Sequence, residues 1–126
     1  MRFILPAVRQ TYAHEAVLTM ARDADVRAPG AAITVALCGH WDHQPPCPLA
    51  PHHTSADRTG DRVRLRTVFA VEPDAEHIVR QRIDEALHAG ELQRPGAAIT
   101  RWELQTSRPS EVAAEEAGLA ESLLRS

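Results

Sequence analysis

Lysine and asparagine are absent from the 126 residues, so every one of the 14 basic side chains is an arginine. Aromatic residues are scarce: two Phe, two Trp and one Tyr. They form no basic–aromatic run of the kind that stacks bases on an open sheet, and the net charge of −3 gives no overall attraction for a polyanion. Nucleic acid is therefore not an expected partner. No apolar run approaches the roughly 20 residues that span a bilayer, so a membrane is not expected either. The stretch MRFILPAVRQTY carries one Arg and a short apolar patch. That patch is too short for a signal-peptide core and lacks a small-residue cleavage site, which predicts a cytoplasmic protein. The two cysteines, Cys38 and Cys47, are too few for the disulfide framework of a small secreted domain. In a reducing compartment they are expected to be free, catalytic or metal-bound. Neither a phosphate-binding glycine loop nor a G-x-S-x-G elbow is present.

The length suits one domain, 1–126, with the 44% hydrophobic and 25% charged content of an ordinary globular protein. RAPGAAIT (27–34) recurs almost unchanged as QRPGAAIT (93–100), which suggests a two-fold internal repeat. RFILPAV reads as a buried first strand. Ala16, Val17, Met20 and Ala24 recur at helical spacing from Tyr12 to about Asp25, with Pro29-Gly30 as the stop. Ile33, Val35 and Leu37 then alternate like a half-buried strand. In the second half RVRLRTVFAV (62–71) alternates arginines with apolar residues. A helix from Pro73 or Asp74 to His88 follows, ended by Gly90, and AAITRWELQ reads as the last strand. His14 and His77 then fall at equivalent helix starts. Two βαβ halves, 1–38 and 62–106, predict an α+β fold of ferredoxin-like βαββαβ topology. The tail at 110–125, with Val112, Leu119 and Leu123, predicts an extra C-terminal helix capped by Ser110.

Between the second and third strands a minimal domain of this kind needs a short hairpin. The residues at 39–61 instead form a long insert punctuated by Pro45, Pro46, Pro48 and Pro51. The stretch CGHWDHQPPCPLAPHH (38–53) gathers both cysteines and four of the seven histidines. Zinc and related ions take about four nitrogen or sulfur ligands, so this density points to a bound divalent transition metal. The favoured ligands are His40, His43, Cys47 and His52, with Cys38 and His53 as substitutes and Asp42 as an oxygen ligand or a partner of a ligating imidazole. No tight C-x-x-C pair is present, and a Cys38–Cys47 disulfide or a metal-free solvated loop fits the same composition. Such a site pins the loop, or, with an open position, activates water for a reaction on a small substrate.

Trp41 lies among these ligands as a lid or an anchor. Arg62, Arg64 and Arg66 share one face of the third strand, with Arg101 and Glu103 expected beside them on the last. They offer either an anion-binding surface for a small anionic molecule or a solvated face of Arg–Glu pairs. An open sheet of this kind also predicts a homodimer. The leading expectation is a small cytoplasmic metal-binding protein, with or without enzyme activity. The alternative is a metal-free ligand-binding or dimerisation module that uses the arginine face.

Overall fold

The computed structural model describes residues 8–39 and 49–126. It is an α+β arrangement in which a four-stranded antiparallel sheet packs with three α-helices. The chain runs β1 (Gln10–Thr19), α1 (Ala28–Cys38), β2 (His52–Thr59), β3 (Arg62–Val71), α2 (Glu76–Ala89), β4 (Glu91–Leu92), β5 (Thr100–Arg101), β6 (Glu103–Ser110) and α3 (Ala117–Leu124). The main sheet has the order β2-β3-β1-β6, and β4 and β5 form a separate two-stranded ribbon. No described helix is long and apolar enough to cross a membrane.

In the second half β3 and α2 follow their sequence pattern, whereas the expected last strand AAITRWELQ is divided between β5 and the start of β6. β3 buries Val63, Leu65 and Phe69 between exposed arginines at 62 and 64, and α2 buries Val79, Ile83 and Leu87. Pro73 opens a short 3-10 turn ahead of α2, and Gly90 ends the helix at φ +71°. That left-handed conformation suits glycine, and a side chain there would sit 3.0 Å from the Trp102 carbonyl oxygen.

The first half differs from the sequence expectation. Residues 12–19 form the central strand β1, where a helix was expected over 12–25. Tyr12, Ala16 and Leu18 pack with the cluster under α1 and α2, while Ala13 packs with Val68, Ala70, Ala120 and Leu123 beneath α3. A strand covered on both faces has apolar residues at successive positions, and these mimic helical spacing. Residues 28–38 are helical where a strand was expected over 33–38. Pro29, taken from sequence as a stop, sits in the first turn, where its missing N–H costs nothing. Just before it, the Asp25 carboxylate accepts the Arg27 backbone N–H at 2.9 Å and shapes the entry to the helix. The expected first strand, RFILPAV, lies outside the described residues except for Val8, which is 70% exposed.

The expected insert is also relocated. β2 occupies 52–59 and joins β3 through the two residues Gly60 and Asp61, so the hairpin is minimal. Gly60 has φ +64°, the feature a type II′ turn requires at its first loop position. The long connection runs from α1 to β2, and residues 40–48 lie outside the described residues. Nor do the two PGAAIT copies share a structure: the first is helical with Ile33 fully buried, the second enters β5 through a turn with Ile99 37% exposed. His14 is a buried residue of β1 and His77 an exposed residue of α2. Strand β6 extends to Ser110, so the tail begins later than expected, with a 3-10 turn at Ala114–Glu116 and then α3.

Replacing Gly90 with alanine should lower stability by about 1–2 kcal/mol, the cost of a left-handed non-glycine residue, in a chemical denaturation curve. The same change at Gly118, a helical position with no atom near the added methyl, should not destabilise.

Candidate functional site

The described ends of the cysteine- and histidine-rich stretch meet at one corner of the fold. Cys38 is the last residue of α1, 2% exposed, and it is not a free thiol but disulfide-bonded. His52 opens β2 on the face toward α1, with its Nδ1 3.8 Å from Cys38 Sγ. The backbone closes the same corner, Leu49 N–H donating to the Leu37 carbonyl at 3.2 Å. Nδ1 of His52 also lies 3.1 Å from the Ala50 carbonyl oxygen, which can only accept. Nδ1 therefore carries a proton, and Nε2 lies 3.0 Å from Thr34 Oγ1. Thr34 has one hydroxyl proton, which serves either that nitrogen or the Gly30 carbonyl oxygen 3.2 Å away.

Beside His52 is a cavity of about 430 Å³ between α1 and the sheet edge, with Arg27, Gly30, Thr34, Thr54 and Ala56 among its walls. His53, next along β2, is exposed and also lines this cavity, although strand alternation turns its side chain to the opposite face from that of His52. His40, Trp41, Asp42, His43 and Cys47 lie outside the described residues. Among the described residues, no three His, Cys, Asp or Glu side chains converge as metal ligands.

Two of the three arginines of β3, Arg64 and Arg66, are already paired within the fold. Arg64 donates to Glu15 Oε1 from Nε and Nη2, at 3.0 and 2.7 Å. Arg66 reaches Glu15 Oε1 at 3.0 Å and both oxygens of Glu116 at 2.8 and 3.0 Å. It also donates to Ser110 and to the Glu111 carbonyl, tying the 3-10 turn before α3 to the sheet. These guanidiniums hold the Glu15 and Glu116 carboxyls below the usual range, and the carboxylates raise Arg66 in turn. Arg101 belongs to β5, away from this face, and its nearest carboxylate is Glu91 at 3.8 Å. The face thus carries Arg–Glu pairs and one end is covered by α3.

A polar chain that sequence reasoning missed lies on the other face. His14 is 3% exposed; Arg80 Nη1 donates to its Nδ1 at 3.1 Å, and Ser107 Oγ lies 2.8 Å from its Nε2. Arginine has only donors, so Nδ1 is the accepting nitrogen and Nε2–H donates to Ser107. Ser107 passes its own proton to Asp84 in a short hydrogen bond. The chain therefore runs one way, from the cationic Arg80 to the anionic Asp84, and ties α2 to β1 and β6. Because Ser107 is the acceptor of His14 and the donor to Asp84, His14 does not act as its base, and no Ser–His nucleophile is assembled. Burial depresses the His14 pKa below its ordinary 6.5, Asp84 opposes this and Arg80 adds to it. The alternation of β1 places His14 among core-facing residues, which was the available signal; reading 12–25 as a helix hid it.

Comparison with protein-family models, curated proteins and solved structures finds no match to this chain.

The two networks set the acid response. Folded-state pKa values below the unfolded values leave stability complete at high pH and remove it as protons bind preferentially to the unfolded chain. Stability should fall first as pH drops below 6.5, through His14, and again below 4.5, through Glu15 and Glu116. His14→Gln keeps an acceptor for Arg80 and a donor for Ser107, so urea unfolding across pH should show its first decline reduced.

Proposed function

We propose that the chain is a small metal-binding α+β protein of ferredoxin-like topology, whose ion is held where α1 hands over to β2. The topology reading rests on the strand order β2-β3-β1-β6 with helical crossovers from β1 to β2 and from β3 to β6. The metal reading rests on one observation: His52 is already oriented as a ligand. Its Nδ1–H is held by a backbone carbonyl, as in ligating histidines, and the residue lines the α1–β2 cavity beside Cys38.

The remaining ligands come from His40, His43 and Cys47, which lie outside the described residues, with Cys38 beside His52. His53, which lines the same cavity, stays a substitute ligand. Zinc or another divalent transition ion suits these donors. Cys38 brings a condition, because a disulfide sulfur is not a thiolate ligand. Metal capture through thiolates belongs to the reduced protein, and oxidation of Cys38 with the only other cysteine, Cys47, competes with it. Glutathione disulfide supplies the oxidant for that step: two protein thiols give one disulfide, and two glutathione thiols take up the electrons and protons.

Elemental analysis of the untagged, thiol-reduced protein should find about one zinc per chain, released on treatment with glutathione disulfide. His52→Ala should weaken zinc binding by more than about tenfold. A reduced protein that takes up no zinc, nickel, cobalt or copper, or whose affinity ignores His52→Ala, would overturn the reading.

A further inference from the structure

The two edges of the main sheet are built differently. β6 carries Pro109 and a register irregularity opposite Val17 and Leu18, both of which discourage addition of another strand. β2 has neither: His52–Thr59 contains no proline and pairs regularly with β3 along its whole length. Among the described residues no strand pairs with its outer edge.

The ladder fixes which groups face outward. Ala70 N–H donates to the Pro51 carbonyl at 3.0 Å. Continuing the antiparallel alternation from that bond, His53, Ser55, Asp57 and Thr59 exchange hydrogen bonds with β3. Thr54, Ala56 and Arg58 therefore turn their backbone N–H and C=O groups away from the sheet. Asp57 lies across from Arg64, but Arg64 is turned to Glu15, and no ion pair of Asp57 is found among the described residues.

We propose that this edge pairs antiparallel with β2 of a second copy of the chain, about a two-fold axis through Ser55, so that each His53 faces the other copy's Asp57. Two constraints select that register. Only pairings that set Thr54, Ala56 and Arg58 against one another satisfy the outward groups of both strands. Among these, an axis through Asp57 opposes two carboxylates and an axis through Ala56 sets Asp57 against Ser55. The axis through Ser55 sets a carboxylate against an imidazole twice. It places both pairs at sites without mutual backbone bonds, where side chains across an antiparallel ladder come closest. Thr54 of one copy and Ala56 of the other then exchange backbone hydrogen bonds. Arg58 does not crowd the joint, since its guanidinium is held by the Ala21 and Ala24 carbonyls of its own chain. The result is one continuous antiparallel sheet across both copies. This pairing is independent of the metal reading.

Sedimentation velocity of the reduced, chelator-treated chain over a concentration series should show a reversible dimer. Ala56→Pro deletes an N–H that only the joint uses, so it should give a monomer with an unchanged circular dichroism spectrum. Asp57→His should weaken the dimer severalfold, and His53→Asp added to it should restore the affinity by exchanging the charges. If Ala56→Pro fails to fold, Ser55→Cys carries the test: at the axis it should form an interchain disulfide in a glutathione redox buffer. A wild-type chain that is monomeric at every concentration, a dimer that survives both Ala56→Pro and Asp57→His, or a folded Ser55→Cys variant that never cross-links would each overturn the proposal.

Discussion

Everything in this fold is arranged around a central strand that is hydrogen-bonded along both edges and covered fully on one face and at one end of the other. β1 pairs with β3 over ten positions, from Gln10 with Val71 to Thr19 with Arg62, and with β6 along its other edge. Burying such a strand requires cover on both faces, and the chain supplies two kinds. α1 and α2 press Ile33, Leu37, Val79, Ile83 and Leu87 onto one face, while the short α3 brings Ala120 and Leu123 to one end of the other. The second cover is thin, so polar bonds reinforce it. Arg66 reaches from β3 to Glu116 at the start of that tail, and Glu116 in turn accepts the Ala113 N–H at 2.8 Å. A half-buried arginine shared by two carboxylates leaves no lone buried charge, the condition under which such a group is tolerated.

Sequence periodicity located the elements whose two sides differ and misread those whose sides do not. β3 alternates arginine with apolar residues over its first half, and α2 has a single apolar stripe, so each declares its period. β1 carries Ala, Val and Leu toward two covers, and α1 is rich in alanine and nearly apolar all round, so neither shows a clear period. There the terminal signals were the better guide. Pro29 followed by Gly30 reads as an ending, although Asp25 four residues earlier makes the same proline a beginning. The repeated PGAAIT makes the point from the other side: six identical residues are helical where Asp25 and the core at Ile33 support a helix, and turn-like where neither is present.

The chemistry was legible to a different degree. That His52 and Cys38 come together needed only their nearness in sequence, and the structure brings them to 3.8 Å. That the side chains of His52 and His53 turn to opposite faces follows from their lying on a strand, a fact hidden while the segment was read as one long loop. The Arg80–His14–Ser107–Asp84 chain was beyond sequence reasoning for a plainer reason: its members come from β1, α2 and β6, and only the completed fold makes them neighbours.

The span of that last contact also bears on how the protein is made. His14 meets Ser107 across 93 residues of chain, and the whole β1–β6 ladder closes at comparable separations. A ribosome releases β1 well before its second neighbour β6, at about 5–20 residues per second. Through most of that interval the nascent chain can complete at best a three-stranded sheet in which β1 keeps one bare edge. Molecules stalled or truncated before Glu103 would keep that edge, and it is the chain's main opportunity for misassociation during biosynthesis.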